Sequence, residues 1–185
     1  MLKPQKHSRR LFLGNAARLV VAGALLPVAR PALASLPNAR QLAFNHTHTG
    51  ERLSVVYAVG EQYLPEALQR LNVFLRDHYS GEVGSIDPQL FDLLFQIRQE
   101  LACQQPFQVI SGYRCAATNT TLRNTRGGGV AKQSLHLQGK AIDIRVADVA
   151  LTDVRDAAMS LGAGGVGFYA TSNFVHLDTG RVRSW

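Results

Sequence analysis

Residues 134–143 read Ser134-Leu135-His136-Leu137-Gln138-Gly139-Lys140-Ala141-Ile142-Asp143, and the reading of this stretch decides the fold. From 141 onward Ile142, Ile144 and Val146 alternate with Ala141, Asp143 and Arg145. That spacing predicts a strand with one apolar face and Asp143 on the other. Gly139 permits a sharp turn just before it. A histidine ahead of the turn and a carboxylate on the strand can approach one ion, as the imidazole nitrogen and carboxylate oxygen donors typical of zinc. The same pair also fits a core histidine satisfied by hydrogen bonds, so a third ligand is needed. His176, in Phe174-Val175-His176-Leu177, is the best candidate because no other histidine follows position 136.

Three protein ligands leave a fourth position for water or a substrate oxygen, the pattern of catalytic zinc sites. Hydrolysis is the expected chemistry. Asp178 lies two residues after His176 on the same strand, so both side chains project to one side of the sheet. Asp178 is therefore the candidate general base. His46 and His48, in a turn with Thr47, Thr49 and Gly50, read as solvated.

Outward from this stretch, residues 40–45 and 52–57 read as a hairpin. Leu64, Leu68, Leu71 and Leu75 form one stripe of a helix from about Glu61 to Asp77. Asp87-Pro88 supplies a cap and a first-turn proline for a second helix carrying Leu90, Leu93, Leu94, Ile97 and Leu101. Phe107 to Ile110 is a strand ending at Ser111-Gly112, where Tyr113 and Arg114 can face a cleft. A short helix from Asn119 to Arg126 leads into the loop Gly127-Gly128-Gly129. Thr152 can cap a helix that Gly162 ends, and short strands cover 165–169 and 173–177. Without a regular βαβ rhythm, the expectation is an α+β fold with a small, mainly antiparallel sheet flanked by helices.

The chain has 185 residues and a formal net charge of +7, which would ordinarily point to an anionic partner. Residues 1–34 hold Lys3, Lys6, Arg9, Arg10, Arg18 and Arg30 and no acidic residue; the rest keeps 14 Lys and Arg against 13 Asp and Glu. The basic character thus belongs to the first 34 residues, and no nucleic-acid partner is expected. Those residues run from a basic start through an apolar stretch, Leu19 to Val28, to Ala32-Leu33-Ala34, the order of a cleavable export signal. Ser8-Arg9-Arg10-Leu11-Phe12-Leu13 resembles the twin-arginine signal. Membrane contact is expected only through this leader, before cleavage. One domain is expected over 35–185, in the periplasm or cell envelope. Cys103 and Cys115 are either bonded to each other, as an oxidising compartment permits, or two unpaired thiols.

Ser-x-His-x-x-Gly-x-Ala-x-Asp, fulfilled by residues 134–143, resembles the signature of the D-alanyl-D-alanine carboxypeptidase and VanX group of zinc peptidases, which share a metal fold with hedgehog proteins. Ser111-Gly112-Tyr113-Arg114, Gly164-Gly165-Val166-Gly167-Phe168-Tyr169 and Phe174-Val175-His176-Leu177-Asp178-Thr179-Gly180 resemble its murein endopeptidase K branch. The resemblance spans nearly all of residues 40–185. It implies one zinc ion per chain on His136, Asp143 and His176, with Arg114 and Ser134 at the substrate. The implied substrates are the stem peptides and peptide cross-links of peptidoglycan, cut during cell-wall remodelling. Many relatives carry an acidic residue or histidine two or three positions before the last ligand; here Asn173 and Phe174 stand there, so Asp178 holds the base role by geometry alone. The competing readings are a D,D-carboxypeptidase and a non-catalytic zinc module that binds the wall.

Overall fold

The computed structural model describes residues 36–125 and 130–185. The expected leader and the Gly127–Gly129 loop lie outside the described residues.

Strands β1 (Ala39–His46) and β2 (Arg52–Val59) form the expected hairpin. His46 corrects the reading of a solvated turn: it is 2% exposed. Its Nδ1 accepts the N–H groups of His48 and Thr49 at 3.2 and 3.4 Å, and its ring lies edge-on to Phe74, 5.9 Å between centroids. Capping the turn with a ring nitrogen draws the ring inward. His48 is exposed, as expected.

The expected helix from Glu61 to Asp77 is shorter. Gln62–Tyr63 is strand β3, paired with β2, and α1 runs Pro65–Phe74. Pro65 fixes the start, since the residue before a proline is pushed out of helical backbone; Leu64 is extended, with ψ 109°. Helix α2 (Pro88–Glu100) begins as expected, Asp87 accepting the Gln89 N–H. Strand β4 (Phe107–Ser111) follows, then α3 (Ala116–Thr125), which begins ahead of Asn119. A 3-10 turn (Leu135–Gln138) leads into β5 (Ala141–Val146). The chain continues through α4 (Leu151–Leu161), β6 (Gly165–Tyr169), β7 (Phe174–Asp178) and β8 (Arg183–Ser184). Thr152 does not cap α4: the N-cap is Ala150, with no side-chain bond, whereas Gly162 ends the helix with φ 57° as expected.

The strands form one sheet in the order β3-β2-β1-β4-β5-β7-β6-β8. The β1–β4 and β6–β8 pairs are parallel and the other pairs antiparallel. The α+β, mainly antiparallel architecture is as expected, and the sheet is wider than expected. Its outermost strands have only two residues each, too few to show a two-residue hydrophobic period. Leu42, Phe44, Val109, Ile142, Ile144, Val175 and Leu177 are buried in one core with side chains of α1, α2 and α4. The register sets Asp143 opposite His176, and His176 opposite Gly167. Paired residues share a face and neighbours along a strand alternate, so these positions lie on the face opposite Ile142, Ile144 and Val175. That second face carries the site.

Candidate active site

Each ligand candidate is placed by local chemistry. Ser134 caps the 3-10 turn, its hydroxyl accepting the His136 N–H at 3.4 Å. Gly139 closes the turn in the left-handed region, φ 65°, and a Cβ there would run into the backbone carbonyl of Ser85. Position 139 therefore needs glycine for both conformation and space. The turn delivers His136 to the second face of the sheet, where Asp143 and His176 sit side by side on β5 and β7. All three are buried.

The donor atoms converge. His176 Nδ1 lies 2.8 Å from Asp143 Oδ1, His136 Nε2 lies 3.3 Å from the same oxygen, and the two ring nitrogens are 3.2 Å apart. Among the described residues these three form a group whose ligand atoms all lie within 4.8 Å of one another. The other nitrogen of each ring faces an acceptor. His136 Nδ1 is 2.7 Å from the Gly112 carbonyl and His176 Nε2 is 3.2 Å from Asp178 Oδ2. With the ring protons on those outer nitrogens alone, as metal binding requires, two lone pairs and a carboxylate face one another. Such a set repels itself unless a cation stands among its members. Donors about 2.0–2.1 Å from a tetrahedral zinc would be about 3.3 Å apart, close to the observed 2.8, 3.2 and 3.3 Å. The residues fit the metal.

The electrostatics agree. Burial opposes a charge on His176, but hydrogen bonds to Asp143 and Asp178 outweigh it and lift the ring's pKa to about 9. Burial likewise works against a charged Asp143, yet His136 and His176 hold its carboxyl well below the usual carboxylate range. The cluster thus attracts positive charge, which a proton or a metal ion can supply.

A cleft of about 380 Å³ opens on the cluster, with Arg114, Ser134, Leu135, Tyr169, Phe174 and Trp185 among its walls. Arg114 Nη2 lies 4.0 Å from Asp143 Oδ2 and 3.4 Å from the Ser111 hydroxyl, which sets a guanidinium beside the cluster. Ser134, expected at the substrate, lines the cleft too, with its cap to His136 as its observed bond.

Asp178, expected as the general base, lies against the His176 ring and is not part of the cleft wall. It is 0% exposed and touches His176 through Nε2, on the opposite edge of the ring from the Nδ1 that faces the cluster. Burial pushes its pKa up, but His176, Arg183 and the Gly180 N–H outweigh that and keep it ionised. Its Oδ2 thus faces the outer nitrogen of the His176 ring, where it can accept a proton. Two residues along a strand do share a face, but the His176 ring stands between Asp178 and the cleft. Cys103 and Cys115 are free thiols, the second of the two expected alternatives. They flank the ends of β4, an extended strand that carries the chain about 13 Å, against a usual Cα separation of about 4.4–6.8 Å in a disulfide. The Cys115 thiol instead meets the hydroxyls of Ser80 and Thr118.

Sequence reasoning missed Arg183 and Trp185. Arg183 holds Asp178 by two hydrogen bonds, and the Trp185 ring stands 5.4 Å from that of His176. The available signal was the run Gly164-Gly165-Val166-Gly167, in which Gly165 faces Arg183 and Gly167 faces Trp185.

Two histidines and an aspartate converging beside an arginine, in a cleft on an α+β sheet, are the donor set of a metal-dependent hydrolase. The chain belongs to the peptidase family described as "Peptidoglycan L,D-endopeptidase MepK", whose model matches residues 34–185. It is 45% identical over 175 residues to the peptidoglycan L,D-endopeptidase MepK of Escherichia coli (strain K12), covering 95% of this chain and 94% of that protein. The Shigella flexneri protein of the same name matches to the same extent. Among solved structures, the Serratia marcescens L-Ala D-Glu endopeptidase ChiX is 19% identical with a TM-score of 0.35, over 52% of this chain and 68% of that one.

Proposed function

We propose that this peptidase is a zinc enzyme that hydrolyses L,D peptide cross-links between the stem peptides of peptidoglycan during cell-wall remodelling. One ion would be held by His136 Nε2, a carboxylate oxygen of Asp143 and His176 Nδ1. The observation that carries this reading is the set of three electron-pair donors, 2.8 to 3.3 Å apart, facing one another in an open cleft. Bound there, zinc supplies a Lewis acid and lowers the pKa of water.

The residues of the chain supply the rest. The Gly112 carbonyl and Asp178 hold the protons of the two rings on the outer nitrogens, so both lone pairs stay turned to the cleft. Arg114 presents a cation at the edge of the cluster, suited to a stem-peptide carboxylate or to negative charge developing on the scissile carbonyl. Asp143 is the carboxylate in the cleft wall, and as a ligand it is occupied by the ion. Export through the twin-arginine leader, residues 1–34, would put the enzyme in the periplasm with its substrate.

The test uses purified protein with three substrates offered separately: an L,D-linked muropeptide dimer, a D,D-linked dimer and free pentapeptide. Monomers should form from the L,D dimer alone. Activity should vanish on chelation and return with zinc. Trimming of pentapeptide with both dimers intact would establish a D,D-carboxypeptidase instead. Zinc-dependent binding to sacculi without release of soluble fragments would establish a wall-binding module.

A further inference from the structure

The C-terminal strand reaches the metal centre from behind. Arg183 Nη1 donates to Asp178 Oδ1 at 3.1 Å and Nη2 donates to Oδ2 at 2.7 Å. Asp178 also accepts the N–H groups of Gly165 and Gly180, at 3.1 and 2.8 Å. Its Oδ2 meets His176 Nε2 at 3.2 Å. A continuous path therefore runs from Arg183 through Asp178 to the ring whose far nitrogen faces the cleft.

Arg183 is itself held in place. Its guanidinium carbon lies 4.7 Å from the Trp185 ring centroid. The Trp185 indole donates to the Tyr169 hydroxyl at 2.8 Å, and the Trp185 backbone pairs with Val166 and Phe168. The bare positions of β6 make room for this arrangement. A Cβ on Gly165 would strike the Arg183 guanidinium and the Asp178 carboxylate, and one on Gly167 would stand 2.7 Å from the Trp185 ring. Gly165 and Gly167, Asp178 and the segment from Arg183 to Trp185 thus form one assembly around one edge of His176.

We propose that Arg183 is a positioning residue for the metal centre. By holding both oxygens of Asp178, it fixes the carboxylate in the orientation that takes the His176 Nε2 proton and so aims the Nδ1 lone pair at the ion. Lysine could supply the charge but not the two-pronged grip. Trp185 stacks on the guanidinium, 4.7 Å from its carbon to the ring centroid, and so limits its movement away from the carboxylate. This inference rests on the metal reading above.

The experiment measures zinc affinity by competition with a chelator for the wild-type protein, Arg183→Ala, Arg183→Lys, Asp178→Asn and the Arg183→Ala/Asp178→Asn pair. Turnover at saturating zinc is measured alongside. Arg183→Ala should bind zinc about 10- to 100-fold more weakly, recover most of its turnover when zinc saturates, and leave KM unchanged. Arg183→Lys should fall between it and wild type. If Arg183 acts through Asp178, the paired variant should be no weaker than Asp178→Asn alone, a non-additivity expected of residues in one network. Near-UV circular dichroism identifies a misfolded variant, in which case Arg183→Lys and its pair with Asp178→Asn decide. Wild-type zinc affinity in both Arg183 variants, or additive losses in the pair, would overturn the proposal. Wild-type protein that binds no zinc would remove the metal reading and this inference together.

Discussion

His46 makes the fold acid-sensitive in a defined window. Its Nδ1 accepts two backbone N–H groups, so a proton on that nitrogen would oppose both donors. Burial, then the neighbouring His78 and His48, lower its pKa from 6.5 to about 4. Between those two values the unfolded chain takes up a proton that the folded ring refuses, so the unfolded state holds more protons and stability falls as the pH falls. The contribution is fully present above pH 6.5 and lost by pH 4. At 1.36 kcal/mol per pKa unit the full shift is worth about 3 kcal/mol, and about 2 kcal/mol once solvent screening is allowed for. Urea unfolding of the metal-free protein at intervals from pH 7 to 4 measures this, with chelator present so that metal release does not enter; protonation of the His136, Asp143 and His176 cluster is common to wild type and variant and cancels in their difference. His46→Gln should be less stable at pH 7 and lose less on acidification, the difference in slope approaching 1.36 kcal/mol per pH unit in mid-window. Parallel stability curves for the two proteins would refute the assignment of a neutral, hydrogen-bond-accepting His46.

Three further outcomes are expected. His136→Ala, Asp143→Ala and His176→Ala should each lose most bound zinc and all cross-link hydrolysis; metal analysis is the readout, and full zinc occupancy in all three would reject the site as drawn. Denatured, freshly exported protein should titrate as two thiols, Cys103 and Cys115, and a count of zero would restore the bond. Arg9→Lys with Arg10→Lys should leave the protein folded but in the cytoplasm, which cell fractionation follows; normal export would point to another route.

Much of the cluster was legible because its members sit in short-range patterns. The alternation from 141 to 146 put Asp143 on the face away from the apolar side chains, and the turn at Gly139 placed His136 near it. His176 came by elimination and stands directly opposite Asp143 in the register. Asp178 shows where the two-residue period stops informing: it gives the face of a side chain but not which edge of a neighbouring ring that side chain meets. Arg183 was illegible for a related reason. Its partner is five positions away across a turn, and a two-residue strand has no pattern to announce it. The missed β3 and the shortened α1 have a simpler cause, since the leucine stripe continued through Leu64 while Pro65 set the helix start. His46 turned inward because its own ring nitrogen caps the turn, an arrangement composition cannot show.

The direct pairing of Asp143 with His176 across β5 and β7 would make an ion bound there a clamp on the folded state as well as a reagent. Two of its ligands are already set side by side by the hydrogen-bonded ladder, so little ordering remains when the metal arrives. That preorganisation favours tight binding, and a metal that binds the folded state alone adds about 4 kcal/mol to its stability when free zinc stands at 1,000 times its dissociation constant. Zinc supply would thus govern how long the protein survives as well as how fast it works. In a metal-poor envelope the enzyme would become both inactive and easier to unfold.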